Sequence, residues 1–269
     1  MRSNQYYTIK KNNPHSLYTS ASRIRLYQTC KRCYYLKYIL NTPETDDNDW
    51  LYDYGNKVHH TIESMIDWLG VTYSKQDLGD KYSSYLTHIR DMKKFIRNKT
   101  ISTEVEFYYQ WDNPLPIFWF FDGVIFEKKS KYWKPVAVKI DWDNILRYFV
   151  DHNNQTQKVK SKKGYAGDVK IVWLMEIKTS STKRSYNSIM TNTQFAIYNH
   201  IKNVIAWDIN FLLLSLSTWQ NLQQFLIRTP ESQYEKIQAV IKEIENNKER
   251  PSQCWYGSPY QSICKDFTF

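Results

Sequence analysis

Val172-Trp173-Leu174-Met175-Glu176-Ile177-Lys178-Thr179-Ser180-Ser181 is an apolar run that closes on a charged pair and then turns polar. Its short length and its β-branched and aromatic content predict a buried strand over 171–178. Successive residues of a strand face opposite ways, so Glu176 and Lys178 share one face. A carboxylate able to hold a divalent cation, beside an ammonium able to orient water and offset phosphate charge, suits metal-assisted phosphodiester hydrolysis. A Glu-x-Lys pair standing alone is most often a solvated cross-face pair, so the reading needs further residues in the same place.

Upstream, Asp122 lies inside Phe118-Trp119-Phe120-Phe121-Asp122-Gly123-Val124-Ile125-Phe126. An acid in so apolar a strand needs a partner or a metal, because burying an unpaired carboxylate is costly. The bland alternative is that Asp122 and Gly123 mark a bulge or a strand end. Asp141, closing a second candidate strand over 136–141, is the competing acid. Further upstream, Gly55-Asn56-Lys57-Val58-His59-His60-Thr61-Ile62-Glu63 reads as helix, with His59 and Glu63 on one face. Neutral imidazole is a ligand for Mn²⁺, although a lone His on a helix is more often structural. Downstream, Gln194-Phe195-Ala196-Ile197-Tyr198 places two polar tips on one helical face, able to reach a phosphate or the lysine.

Around these residues the pattern predicts helices over 20–40, from about Trp50 past Asp67, over 81–97, over 192–202 and over 231–247. Strands are expected over 102–110 and 117–127, joined through Asn113-Pro114-Leu115-Pro116 as a hairpin, with a final long strand over 204–217. The lysine-rich stretch from His152 to Lys170 reads as a mobile basic loop. The fold class is therefore α/β or α+β, a central mixed sheet flanked by helices. One domain is expected over 1–269, with a helical region over 1–100, a core over 101–217 and a C-terminal helix and cysteine segment over 218–269.

Lys and Arg number 37 against 27 Asp and Glu, a formal net charge of +10, which favours a polyanionic partner such as nucleic acid. No stretch approaches the ~20 apolar residues that span a bilayer, and the N-terminus lacks the apolar core of a signal peptide. A cytoplasmic protein with no membrane association is expected.

Taken in order, a glycine-led helix with His59, a strand with Asp122, a strand ending Glu176-x-Lys178-Thr179 and a helix with Gln194 and Tyr198 resemble the RecB-like branch of the PD-(D/E)XK nucleases. Thr19-Ser20-Ala21-Ser22-Arg23, followed by Tyr27 and Cys30, resembles that family's opening helix. The resemblance implies a restriction-endonuclease-like core and a DNA exonuclease acting on ends or single strands with Mg²⁺ or Mn²⁺. It implies metal binding by His59, Asp122, Glu176 and the carbonyl of Ile177, with Lys178 placing the attacking water and Gln194 and Tyr198 supporting the substrate. Arg23, Lys31, Arg32, Thr179 and Lys160 are candidate nucleic-acid contacts. The segment between Asp122 and Glu176 is longer than the family's usual connection, which keeps Asp141 in play. A helicase, an annealing protein or a CRISPR-adaptation protein are candidate partners.

The chain has four cysteines, Cys30, Cys33, Cys254 and Cys264. In AddB-like and CRISPR-adaptation nucleases one N-terminal and three C-terminal cysteines hold a 4Fe–4S cluster. Here Gly257 or Ser258 stands where the middle C-terminal cysteine would be, and Cys33 offers the fourth thiolate. Zinc is the alternative occupant and simple burial the bland one, while structural disulfides are not expected in a reducing compartment. A catalytically silent nucleic-acid-binding scaffold and an RNA-directed nuclease remain the competing functions.

Overall fold

The computed structural model describes residues 19–40, 42, 49–109, 115, 117–128, 134–141, 144–150, 156–160, 165–166, 169–180, 184–205, 208–217 and 222–246. For 49–52, 106–109, 118–119, 134–141, 144–150, 156–160, 166 and 205 the description is of the backbone alone.

The helix expected over 20–40 is instead broken at Cys30. Ser20 caps α1 (Ala21–Thr29) by accepting the Arg23 N–H, as a short hydroxyl side chain does at a helix start. Cys30 is then extended, at φ −156° and ψ 98°. It ends α1 and caps α2 (Lys31–Tyr34), which runs on as a π turn over Tyr35–Ile39. The helix expected from Trp50 is α3 (Asp49–Ile66), and a Ser74–Asp77 capping box opens the short α4 (Lys75–Leu78). After the 3₁₀ turn Gly79–Lys81, α5 covers Tyr82–Ile96.

The predicted hairpin is β1 (Thr100–Tyr109) and β2 (Ile117–Phe126), antiparallel with Thr103 opposite Gly123. Most of its turn lies outside the described residues. β3 (Lys134–Asp141) is the predicted strand, lengthened at its start, and β4 (Asn144–Val150) was not anticipated. The stretch read as a basic loop contains β5 (Thr156–Lys160) and β6 (Tyr165–Ala166), because pairing with β4 and β7 gives its backbone a ladder that its polar composition concealed. β7 (Val169–Ser180) is the strand that carries Glu176 and Lys178.

The C-terminal side departs from expectation in two places. α6 (Tyr186–Met190) precedes α7 (Thr193–Ile205), which takes the first residues assigned to the last strand. That strand, β8, is Asn210–Ser217, and it is followed by β9 (Gln223–Ile227) before α8 (Glu231–Asn246).

Among the described residues the sheet runs β5-β4-β3-β1-β2-β7-β8-β9, with β6 pairing β7 beside it. β1·β3 and β7·β8 are parallel and the other pairs antiparallel, so the sheet is mixed. Alternation along β7 separates two cores. Leu174 joins Phe211 and Leu213 of β8 under α1, α7 and α8, whereas Met175 and Ile177 join Leu212, Leu214 and Leu216 under α3 and α5. This three-layer arrangement is the α/β, restriction-endonuclease-like fold expected. Among the described residues no helix is long and apolar enough to cross a membrane.

A buried polar relay fixes α3 against the sheet. Tyr54 Oη of α3 lies 3.0 Å from His88 Nδ1 of α5, and His88 Nε2 lies 3.0 Å from the carbonyl oxygen of Ser217. A carbonyl only accepts, so Nε2 carries the proton and Nδ1 accepts from the tyrosine. Burial lowers the His88 pKa below its ordinary 6.5, which keeps the neutral tautomer that this relay requires.

Candidate active site

β2 and β7 pair from Phe126 to Gly123, where Gly123 faces Met175, and their ladder ends there. β2 continues beside β1 and β7 beside β8, so the two strands fork at Asp122 and Glu176. A fork leaves backbone groups without a ladder partner, and buried backbone groups must find one. Asp122 Oδ2 accepts the Ile177 N–H at 2.6 Å, and Tyr198 Oη donates to the Phe120 carbonyl at 2.6 Å. The side chains that close the fork therefore belong to the candidate site. Asp141 ends β3, which is separated from β7 by β1 and β2, so Asp122 is the acid that meets Glu176.

Glu176 is 1% exposed. Its Oε1 accepts from Lys178 Nζ at 2.5 Å and from Gln194 Nε2 at 2.6 Å, and Gln194 Nε2 also lies 3.0 Å from Tyr198 Oη. Asn192 Oδ1 accepts the N–H groups of Gln194 and Phe195, which starts α7 at the register that aims Gln194 and Tyr198 at the sheet. Tyr198 is fully buried between Phe121 and Phe211, at ring separations of 4.7 and 5.3 Å.

His59 comes from the other side of the sheet, its Nδ1 3.7 Å from Asp122 Oδ2. Gly55 permits this approach. A Cβ at that position would stand 2.8 Å from Thr179 Oγ1, one turn before His59, so α3 can lie against the end of β7 only without a side chain there. Gly55→Ala is expected to lift α3 off β7 and to lower single-turnover cleavage by roughly tenfold to a hundredfold. Adding Thr179→Ala removes the overlap and should bring the rate back to that of Thr179→Ala alone. No recovery would show that this contact does not place His59.

Burial dominates the electrostatics. It pushes Glu176 up to about 7, the negative charge of Asp122 adding to the rise, and pushes Asp122 up to about 6 against the opposing pull of Lys178. Desolvation alone would lower Lys178, but the charges of Glu176 and Asp122 and the hydrogen bond to Glu176 outweigh it and hold the ammonium above its usual value. Burial lowers His59, assisted by the charge of Lys178. The acids are thus poised to lose protons near neutral pH while the lysine keeps its own.

No group of three or more His, Cys, Asp and Glu stands gathered as a metal cluster among the described residues. The donor set nevertheless suits a hard divalent cation: two carboxylates, one imidazole and the carbonyl of Ile177. Glu176 Oε2 is buried with no hydrogen-bond partner, an orphaned acceptor that a cation would satisfy.

Other expected contacts are distributed differently. Arg23 and Arg32 are buried, Arg23 over the ring of Tyr38 at 4.5 Å, because the sequence shows a charge but not which way its helix turns. Lys31 is exposed and ion-paired with Glu243 of α8. Thr179 stands next to Gly55, and Lys160 lies on β5 with its side chain outside the description. Cys30 and Cys33 are joined as a disulfide, Cα atoms 5.3 Å apart, against the expectation of no such bond. A cysteine at the cap of α2 holds its sulfur over the first turn, where it accepts the Cys33 N–H at 3.2 Å, so the i, i+3 sulfurs meet. Cys254 and Cys264 lie outside the described residues.

Two residues absent from the sequence reading join the site. Glu104 lies between the Thr103–Gly123 and Val105–Phe121 pairs of β1 and β2, where the register skips it, and its left-handed φ of 47° costs a non-glycine residue about 1–3 kcal/mol. Its side chain keeps solvent exposure, yet desolvation first, then a hydrogen bond with Glu63 and the charges of Glu63, Asp122 and Glu176, raise its carboxyl above the usual range. The second, Arg184, precedes α6 and feels the charge of Glu176.

The site therefore sets one acid on each arm of a central fork in a mixed sheet, with a lysine two residues beyond the second acid. Residues 18–150 match the family model of the PD-(D/E)XK nuclease superfamily. Proteins of that superfamily are phosphodiester-hydrolysing nucleases that usually use Mg²⁺ or Mn²⁺. The match takes in His59 and Asp122 and ends before β7. No curated protein matches the chain. Among solved structures, a protein described as a candidate exonuclease from Eubacterium rectale is 11% identical, covers 100% of this chain and 94% of its own, and superposes with a TM-score of 0.45. The crystal structure of SSO0001 is 13% identical, with coverage of 94% and 88% and a TM-score of 0.38.

Proposed function

We propose that this protein is a metal-dependent deoxyribonuclease acting as an exonuclease on DNA ends or single strands. The observation that carries the reading is the buried, unpartnered Oε2 of Glu176 beside Asp122 and Lys178 at the strand fork. His59, Asp122, Glu176 and the carbonyl of Ile177 hold Mg²⁺ or Mn²⁺, which when bound supplies Lewis acidity and a more acidic water. Lys178 keeps its proton, orients the attacking water and offsets phosphate charge. Gln194 and Tyr198 hold Glu176 and the β2 arm in place, so that the two acids keep their separation. The net charge of +10 draws the polyanion in.

A 4Fe–4S cluster on Cys30, Cys33, Cys254 and Cys264 also belongs to this proposal; it requires the Cys30–Cys33 disulfide to be reduced first, because the ligands are thiolates, and the adjacency of the two residues then favours it.

The test uses anaerobically purified protein with end-labelled single- and double-stranded DNA, in Mg²⁺, Mn²⁺ or EDTA, with RNA as competitor. Iron and labile sulfide are measured on the same preparation. Products that shorten progressively from an end, only with metal, are expected. Binding without cutting would favour a silent scaffold, and preferential RNA cleavage would move the substrate.

A further inference from the structure

Arg184 is the cation of this site that the mechanism above leaves without a task. It stands between β7 and α6, directly before Ser185, whose side chain caps α6 by accepting the Ser188 N–H. That cap fixes the backbone beside it and so limits where the arginine can go. The residue is half-buried, and its Nε–H is closed off from water with no hydrogen-bond acceptor.

Glu176 does not satisfy that donor. Its Oε1 is taken by Lys178 and Gln194, and its Oε2 has no partner. The arginine is nevertheless close enough to feel the charge of Glu176, and close enough to Lys178 for the two cations to oppose each other. Guanidinium is always charged, and its planar fork matches phosphate oxygens in a way an ammonium does not. A permanent charge with an unfilled, desolvated N–H, held near a second cation, is unfavourable unless an anion completes the set.

We propose that Arg184 is the phosphate-binding residue of the site, its guanidinium gripping the non-bridging oxygens of the nucleic-acid phosphodiester that lies against Asp122 and Glu176. The proposal rests on the nuclease reading for the identity of the anion. Arg184 would touch the substrate directly, whereas Gln194 and Tyr198 act through Glu176 and the β2 arm.

The test is a binding cycle that does not depend on cleavage. Fluorescently labelled pentathymidylate, and versions with one neutral methylphosphonate linkage at each position in turn, are titrated in Ca²⁺ against the native protein, Arg184→Gln and Arg184→Lys. Circular dichroism melting verifies each fold. A charged hydrogen bond is worth enough that Arg184→Gln should weaken binding about tenfold or more, with Arg184→Lys in between. One methylphosphonate position should cost the native protein a similar factor and cost Arg184→Gln nothing further. Equal losses in both proteins at every position, or native-like binding by Arg184→Gln, would overturn the proposal. Should the native protein never cut DNA with any metal, the nuclease reading falls, while the cycle still decides whether Arg184 holds a phosphate.

Discussion

Lys178→Met and Asp122→Asn are each expected to reduce metal-dependent cleavage by at least about a thousandfold, and in different ways. Methionine keeps the stem of Lys178 and removes its charge, so the site loses the group that orients water and faces the phosphate, while His59, Asp122 and Glu176 remain. Metal still binds, and the loss falls on the rate at saturating DNA. Asparagine at 122 keeps a side-chain oxygen to accept the Ile177 N–H, so the fork stays closed, but it removes the charge that a divalent cation requires. Its loss appears first as a weaker response to Mn²⁺. The measurement is single-turnover cleavage of end-labelled DNA across a Mn²⁺ series, beside calorimetric titration of metal in the absence of DNA. Native rates in Lys178→Met would remove this site from the chemistry. Unchanged metal affinity in Asp122→Asn would remove Asp122 from the ligand set.

Metal affinity is expected to rise steeply with pH between about 5 and 7, with protons released on binding. In the metal-free protein, burial holds Asp122 up at about 6 and Glu176 at about 7, so at pH 5 both carry protons that a cation must displace. Each proton released steepens the affinity by up to about tenfold per pH unit over this window. The same shifts act on stability. A carboxyl whose folded pKa is raised contributes stability that is fully present below the unfolded values of 3.8 and 4.5, and lost as pH rises through about 6 and 7. Without metal, the native melting temperature should therefore fall from pH 5.5 to 8 relative to Asp122→Asn, and Mn²⁺ should remove that difference. Calorimetry in two buffers of different ionisation enthalpy counts the protons. A pH-independent affinity with no proton release would mean that the two acids are already ionised and do not receive the metal.

Much of the site was legible because strand alternation and helical spacing are local. Glu176 and Lys178 share a face by period two, and Gln194 and Tyr198 by i, i+4, and both pairs meet as the spacing requires. Glu104 and Arg184 were not legible. The first enters through a left-handed backbone, and the second through a chain path that no periodicity reports. Arg23 shows the reverse failure. Its charge suggested a phosphate contact, yet its helix turns it onto Tyr38, and whether a long cationic side chain packs or projects depends on what lies beside it.

By itself the sequence determined the α/β class, the helices and strands that carry strong periodic patterns, and the order of the residues that bear chemistry. Burial of apolar faces at fixed spacing dictates these without distant partners. Tertiary structure alone decided that Asp122 rather than Asp141 meets Glu176, since that depends on strand order across the sheet. It also decided that β5 and β6 form where the composition read as loop, and that β2 and β7 part at the two acids. Strand pairing and the point at which a ladder ends are set by contacts between residues far apart in the chain, and no local pattern encodes them.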